Sequence, residues 1–171
     1  AAFRVGRNSA LSWLFAPRIE RVLFAASKAD RLHHTSHDRL QAILGLLVDR
    51  ASRRAKESGA KTHVLALSAL RSTREATVRE GNLTLPAVVG VPEAGESIGG
   101  EVFDGIAEAA IYPGHLPDDP KAALDAQGGL DLRFMRFRPP LVDQDRSGKA
   151  RAAPHIRLDR AIEFLIGDRL A

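Results

Sequence analysis

Two short apolar runs flank one long amphipathic segment in the first half of the chain. The runs Val22–Ala26 and Val64–Leu67 are typical of buried strands, which we place at 21–26 and 61–67. Between them, residues 36–58 carry apolar side chains at spacings of three and one, which form one continuous stripe on a helix. A strand, a helix and a strand in this order predict parallel strands joined by a right-handed crossover.

The ends of the predicted helix carry residues that favour helix termini. Ser36 stands at the N-cap position, Asp38 lies in the first turn, and Gly59 stands at the C′ position. Basic residues cluster in the last turns, where they complement the helix dipole. We interpret the basic face as solvated; binding of an anionic partner is the alternative.

The second half of the chain has a less regular pattern. It predicts strand-like segments at 83–91, 95–104 and 132–138, a short helix at 119–125 and an amphipathic helix at 156–170. Pro86 favours an edge strand or a bulge for the first of these segments, because proline has no N–H to donate. We expect residues 132–138 to pair antiparallel with residues 83–91.

Three other segments are predicted to be irregular. Residues 139–154 are rich in proline, glycine and charge, which indicates a mobile loop, and residues 8–19 are interpreted as a connector whose aromatic residues cap a core. The opening Ala1–Gly6 resembles the end of a helix, which suggests a chain that begins in mid-fold. Acidic residues occur in the turn-rich segments, where we expect solvated side chains rather than paired catalytic acids: Asp118, Asp119, Asp143 and Asp145.

Composition narrows the class of protein only moderately. The chain has 171 residues, 44% of them hydrophobic, which is enough for one domain with a core. It has no cysteine, which excludes disulfides and thiolate metal sites, and no apolar run long enough to span a membrane. The net charge of +4 suits phosphate ligands or anionic surfaces without indicating nucleic-acid binding.

The strongest candidate for chemistry is the tetrapeptide Ser27-Lys28-Ala29-Asp30, which directly follows the first predicted strand. Ligands of open α/β sheets bind at the carboxyl ends of strands. An ionised Asp30 only accepts hydrogen bonds, and guanine offers two adjacent N–H donors, at N1 and N2, that one carboxylate can bridge. The stem of Lys28 can lie along the base plane. Adenine offers no such pair of donors, so the tetrapeptide indicates guanine recognition.

The end of the second strand provides a matching loop, Ser68-Ala69-Leu70. Two parallel strands deliver their carboxyl ends to the same edge of a sheet, so this loop should lie beside Asp30. We expect the Ser68 hydroxyl to hold Asp30, and the backbone N–H of Ala69 or Leu70 to donate to guanine O6. Together the two loops predict a three-point recognition of guanine.

These two loops and four further stretches resemble the YcjX-like family of bacterial P-loop nucleotide-binding proteins. The further stretches begin at His33, Gly99, Leu132 and Pro154, so the resemblance covers nearly the whole chain. It implies an α/β fold with a portion of a Ras-like P-loop core in residues 1–73 and a mixed α+β extension in residues 74–171. It further implies GTP or GDP as ligand, a parent GTPase, a link to bacterial stress responses and a cytoplasmic location. Peripheral attachment to the inner membrane is an additional expectation, which belongs to the interaction-module alternative.

The chain departs from the family pattern in its phosphate-binding elements. It contains no Gly-x-x-x-x-Gly-Lys-[Ser/Thr] motif, which would supply the phosphate cradle and the Mg²⁺-binding hydroxyl. We therefore expect Mg²⁺ only together with such a loop, and no GTP hydrolysis by this chain alone. Ser27 stands where the family usually has Asn or Thr, so it should brace a phosphate loop less well.

Two alternatives remain open beside the guanine-site hypothesis. One is an ATP-using enzyme of the same fold. The other is an interaction module in which residues 74–171 dock on a protein or an anionic membrane surface, suggested by the basic aromatic segment 133–138 and the basic C-terminal region. A metal site is a minor alternative at His33, His34 and His37, because His33 and His37 are four residues apart and can face the same way. We favour capping and loop packing for these histidines.

Overall fold

A parallel strand pair and one long helix form the first part of the fold. The computed structural model describes residues 19–125, 129–141 and 152–170. In it, β1 (Arg21–Ala26) pairs in parallel with β2 (Lys61–Ala66), from Arg21 opposite Lys61 to Ala26 opposite Ala66. The helix α1 (His37–Glu57) connects them. The predicted order of strand, helix and parallel strand is confirmed, so the loops after β1 and β2 emerge side by side.

The ends of α1 agree with the sequence pattern to within one residue. Ser36 immediately precedes the helix, although its side chain makes no capping hydrogen bond. At the other end, Gly59 adopts the left-handed conformation with φ of 84°, and its N–H donates to the Lys56 carbonyl at 2.8 Å. Glycine adopts this conformation without steric cost, which explains why the helix ends there.

An antiparallel sheet follows the parallel pair. Its strands are β3 (Arg74–Glu80), β4 (Leu83–Gly90) and β7 (Ala109–Ile111), in the order β3-β4-β7. The predicted segment 95–104 contains only a small hairpin of β5 (Ser97–Ile98) and β6 (Glu101–Val102). The strand β3 was not predicted, although Ala76 and Val78 alternate with exposed residues along it.

One expectation about this sheet is wrong and another holds locally. Residues 132–138 form no strand; they make a single antiparallel bridge, from Phe137 to Pro92, just beyond the end of β4. β4 is the central strand in the sheet order, but β7 pairs only with residues 88–90, so among the described strands β4 is paired at Pro86 with β3 alone. Pro86, which has no N–H to donate, therefore lies where one side of β4 is open, as the sequence predicts.

Two shorter helices complete the described fold. α2 (Pro120–Asp125) begins at the proline that the sequence places in its first turn. α3 (Leu158–Ile166) is followed by a 3₁₀ turn at Gly167–Arg169, so the predicted C-terminal helix is shorter than 156–170. α3 packs on the parallel pair through buried Ala161, which clusters with Leu65 and Leu67.

Two further hydrophobic clusters connect elements that are distant in sequence. One joins β4, β7 and the 132–138 segment through Val88, Ile111, Met135 and Phe137. The other joins α1 to the region of α2 through Leu32, Ile43 and Leu116. The fold is therefore a mixed α/β arrangement in which the parallel pair, the antiparallel sheet and the helices share contacts.

Several expectations fall on residues that the structure does not describe. They are the helix end at Ala1–Gly6, nearly all of the connector 8–19, and most of the loop 139–154, including Asp143 and Asp145. Among the described residues, no helix combines the length and the apolar character that crossing a membrane requires.

Candidate functional site

The tetrapeptide 27–30, called the base-recognition loop after the role that the sequence predicts for it, leaves the end of β1 in a tight turn. Lys28 has φ of 61°, a left-handed conformation that is uncommon for a residue other than glycine. Ala29 begins a 3₁₀ turn and is fully buried, and its N–H donates to the Leu67 carbonyl at 3.1 Å. This bond fastens the loop to the end of β2, and it leaves Ser27 and Lys28 exposed above the turn.

Asp30 is the most constrained residue of the loop. Its side chain is buried, with 5% of the residue exposed. The Ser68 hydroxyl lies 2.7 Å from Asp30 Oδ1, and the Ser72 N–H donates to Oδ2 at 2.9 Å. The Thr73 hydroxyl donates to the Asp30 backbone carbonyl. Both carboxylate oxygens are thus oriented by donors that lie about 40 residues away in sequence.

The second loop, Ser68–Leu70, is held beside Asp30 as predicted. Ser68 is 3% exposed, and its backbone forms two hydrogen bonds with Ile156, at 3.0 and 2.9 Å. Its hydroxyl is also 2.8 Å from the Leu70 carbonyl. A hydroxyl has one proton, and a carboxylate is a stronger acceptor than a carbonyl, so we assign the proton to the bond with Asp30. The backbone N–H groups of Ala69 and Leu70 reach no acceptor among the described residues, and both residues are exposed.

A cavity of about 240 Å³ opens directly on these two loops. The residues that line it are Lys28, Asp30, Arg31, Leu70, Ser72, Glu93, Phe137 and Pro139. The cavity therefore combines a buried carboxylate and other charged groups with the apolar side chains of Leu70, Phe137 and Pro139, so it offers both hydrogen-bonding groups and apolar surface to a ligand.

A larger open groove of about 560 Å³ lies next to this cavity. Arg71, Arg74 and Arg138 line it, and each guanidinium has a protein partner. Arg74 pairs with Glu108 at 2.6 Å, Arg71 donates to the Thr73 carbonyl at 2.8 Å, and Arg138 donates to the Gly105 carbonyl at 2.7 Å. These side chains are engaged in holding the fold, so we place the candidate site in the smaller cavity.

The three clustered histidines have different surroundings. Buried His37 places Nε2 2.8 Å from the Ala29 carbonyl and 3.2 Å from the Leu32 carbonyl, so it braces the base-recognition loop from behind. His33 caps the 3₁₀ turn at His34–Ser36 through Thr35. These contacts support the interpretation of His33 and His37 as capping and packing residues. His34 instead faces Glu75 on β3, with Nδ1 2.7 Å from Oε2.

Burial lowers the pKa of His33 below its ordinary value, and positive charge on His34 and His37 acts in the same direction, whereas Glu75 opposes it. The neutral imidazole is therefore favoured at this position. The contact between His34 and Glu75 could not be predicted from the sequence, because the two residues are 41 positions apart.

Asp118 and Asp119, the two acidic turn residues of the prediction that the structure describes, are exposed to solvent, as expected. The side chain of Asp118 is 87% exposed and pairs with Arg39 at 2.5 Å. Asp119 Oδ1 accepts from the Lys121 N–H at 3.0 Å, a contact of the first turn of α2. Neither arrangement resembles a pair of catalytic acids.

Comparison with known proteins gives a consistent result across the chain. A sequence model of the YcjX-like family (DUF463) matches residues 1–170. The chain is 33% identical over 171 residues to the Ras-like GTPase YcjX of Escherichia coli (strain K12), covering 99% of this chain and 33% of that protein. It is 31% identical over 173 residues to the Ras-like GTPase YcjX of Shewanella oneidensis, covering 99% and 32%. The chain thus spans about a third of the length of these curated relatives.

Proposed function

The chain belongs to the YcjX-like family, and from this premise we propose that it carries the base-recognition part of a guanine-nucleotide site. The observation that supports this most directly is the buried Asp30 carboxylate, oriented by the Ser68 hydroxyl at 2.7 Å and lining the cavity between the two loops. The curated relatives are named Ras-like GTPases, which is consistent with this ligand class.

Asp30 retains the capacity to accept from guanine. An ionised carboxylate has about four lone-pair sites, and Ser68 and Ser72 occupy one on each oxygen. The remaining acceptor sites can take the N1–H and N2–H of guanine as a charge-assisted pair. Adenine presents no adjacent pair of donors on this edge and would leave the buried carboxylate without those partners, which argues against the ATP alternative.

The second loop would supply the complementary donor. The N–H groups of Ala69 and Leu70 lie on an exposed segment next to Asp30, and one of them would donate to guanine O6. The side chain of Lys28, which also lines the cavity, would cover one face of the base. Ser27 would face the phosphate-binding elements of the whole protein.

GTP hydrolysis belongs to the proposal for the whole protein rather than for this chain. The sequence has no phosphate-binding motif that could hold the β- and γ-phosphates or place a hydroxyl on Mg²⁺. The donor set around Asp30 consists of hydroxyl and amide groups aimed at the carboxylate, so it fits a base and not a cation. A Mg²⁺ ion would therefore be held elsewhere, together with the phosphates.

The replacement Asp30→Asn tests this proposal. The amide nitrogen of Asn would face the N–H donors of guanine, so we expect GDP affinity to fall about 10- to 100-fold, the effect of losing one hydrogen bond to a charged group. Xanthine carries a carbonyl at position 2, so affinity for its nucleotide should rise. Both affinities can be measured by titration with fluorescent nucleotides, with the melting temperature recorded in parallel.

Asp118→Asn is the matched control, because it makes the same chemical change on an exposed residue outside the cavity. It should leave both affinities unchanged. Equal loss of guanine and xanthine nucleotides in a folded Asp30→Asn protein would show that Asp30 does not select the base.

The proposal has three further features. The chain would divide into a nucleotide-binding part, residues 1–73, and an α+β extension, residues 74–171. The protein would lie in the cytoplasm, with peripheral attachment to the inner membrane, and would act in stress responses.

The alternative of a surface interaction module has less support, because two arginines of segment 133–138 have internal partners. Arg136 pairs with Glu96 at 2.7 Å, and Arg138 donates to Gly105. Phe134, half exposed, is the residue of this segment that such a module would use.

A further inference from the structure

His33, His34 and Glu75 bring three ligand groups together at the junction between the base-recognition loop and the antiparallel sheet. One ligand atom of each residue lies within 4.8 Å of the others. His34 Nδ1 is 2.7 Å from Glu75 Oε2, and the two imidazole rings have centroids 4.3 Å apart. We propose that these three residues form a transition-metal site that takes Zn²⁺.

The chemistry of the ligands favours this class of metal. Imidazole nitrogens suit Zn²⁺, Ni²⁺ and Cu²⁺, whereas Mg²⁺ and Ca²⁺ prefer sets of oxygen ligands. Two imidazoles and one carboxylate form a common protein ligand set for zinc, with the fourth position open to water. The site is thus distinct in kind from a Mg²⁺ site on nucleotide phosphates.

The geometry needs only a small adjustment to close on an ion. Zinc lies about 2.0–2.2 Å from nitrogen and oxygen ligands, which places the ligand atoms of a tetrahedral site about 3.4 Å apart. The side chains of His34 and Glu75 are 60% and 33% exposed, so they have room to move from separations of up to 4.8 Å to this spacing. The ion would replace the proton that His34 and Glu75 now share.

Neighbouring groups already orient two of the three ligands. Thr35 Oγ1 lies 3.0 Å from His33 Nδ1 and restrains the ring. Arg71 Nη2 lies 3.4 Å from Glu75 Oε1, which leaves Oε2 directed at His34. Such outer contacts are typical of metal sites, where they fix the direction of each ligand.

A bound ion would connect two segments that also meet at the candidate base site. His33 and His34 lie three and four residues after Asp30, and Glu75 lies two residues after Thr73, whose hydroxyl donates to the Asp30 carbonyl. Zinc would therefore stabilise the contact between the two segments that carry Asp30 and Thr73. Because the ion would bind the folded protein and not the separated segments, it should raise the melting temperature.

The experiment uses the protein expressed in full without a histidine tag, stripped with a chelator and then dialysed. Titration with Co²⁺ should give the visible absorption of a cobalt ion with nitrogen ligands, and Zn²⁺ should abolish that absorption. We expect His34→Asn and Glu75→Gln each to lower Zn²⁺ affinity at least tenfold and to remove the rise in melting temperature. The melting temperature without metal shows whether each variant folds.

His155→Gln is the matched control. His155 also lies near a carboxylate, with Nδ1 4.0 Å from Asp159 Oδ1, but among the described residues it belongs to no group of three ligands. Its replacement should leave Zn²⁺ affinity unchanged. Absence of Zn²⁺ binding at micromolar concentrations, or unchanged affinity in folded His34→Asn and Glu75→Gln, would overturn the proposal. Neither result would bear on guanine recognition by Asp30.

Discussion

Asp30 is a charged residue that is buried on a loop, and its neighbours explain how the fold tolerates it. A buried carboxylate is stable only when its oxygens accept hydrogen bonds. Ser68 and Ser72 provide one donor each, at 2.7 and 2.9 Å. The same bonds fix the direction of the remaining lone pairs, so the proposed base selection would depend on the same side chains as stability does.

At this scale, Ser68→Ala should weaken both properties. The replacement removes the donor to Asp30 Oδ1, and a hydrogen bond to a charged group contributes about 1.5–3 kcal/mol. We expect the free energy of unfolding to fall by about that amount and the GDP affinity to fall about tenfold, measured by chemical denaturation and nucleotide titration. Ser97→Ala, the same change on an exposed residue of β5, should alter neither quantity.

The element that most affects the site from a distance is α3. It packs on β1 and β2 through Ala161, which is 4% exposed, and the segment before it pairs with Ser68 through Ile156. Arg157 adds a contact between this segment and α1, with Nη2 3.1 Å from Asp38 Oδ1. The C-terminal helix therefore supports the second loop of the candidate site.

Ala161→Glu should release α3 from the parallel pair. A charge left unpaired in the interior costs about 3 kcal/mol or more, so we expect a lower melting temperature and weaker GDP binding in the same variant. Circular dichroism and nucleotide titration measure the two effects. Arg160→Glu, one position earlier on the exposed side of the helix, should melt close to the wild type. Normal GDP affinity in a destabilised Ala161→Glu protein would show that α3 does not support the site.

For the whole molecule, ion pairs connect segments that are distant in sequence. Arg21 of β1 pairs with Asp168 at 2.5 Å, and Arg136 pairs with Glu96 at 2.7 Å. Hydrogen bonds from the Arg136 backbone and guanidinium lower the pKa of Glu96, and Arg21 lowers the pKa of Asp168. Both carboxyl groups are therefore held in the ionised form by the folded state.

The sign of the pH dependence follows from these lowered pKa values. Each pair contributes stability above the ordinary carboxylate pKa of about 4, and this contribution is lost as the pH falls through the lowered folded-state value. We expect the melting temperature to decrease steadily below about pH 4.5. The Glu96→Gln protein should have a lower melting temperature at pH 7, and its melting temperature should fall less on acidification. The melting temperature of Glu101→Gln, a change in the neighbouring strand β6, should follow that of the wild type at each pH. An identical acid slope in Glu96→Gln would contradict this assignment.

The sequence by itself determined the parts of the protein whose structure follows from local pattern. The 3.6-residue periodicity of α1, the apolar runs of β1 and β2, and the turn residue Gly59 all depend on neighbours within a few positions. The order of these elements also places Asp30 and Ser68 at one edge of the sheet, because two parallel strands end on the same side. The predictions are wrong for two segments: β3 was not predicted, and residues 132–138 were predicted as a strand but are irregular. Weak alternation of apolar and polar residues does not distinguish a strand that pairs with a neighbour from an extended segment that does not.

Only the tertiary structure decided which distant residues meet. The donation from Ser72 to Asp30, the bridge between Ser68 and Ile156, and the approach of Glu75 to His34 each join positions at least 41 residues apart. Such contacts depend on how whole helices and strands pack together, because residues so far apart in the sequence are not brought together by the chain itself. The loop residues that indicate guanine follow from the sequence, whereas their rigid support and the proposed zinc ligands follow from the fold.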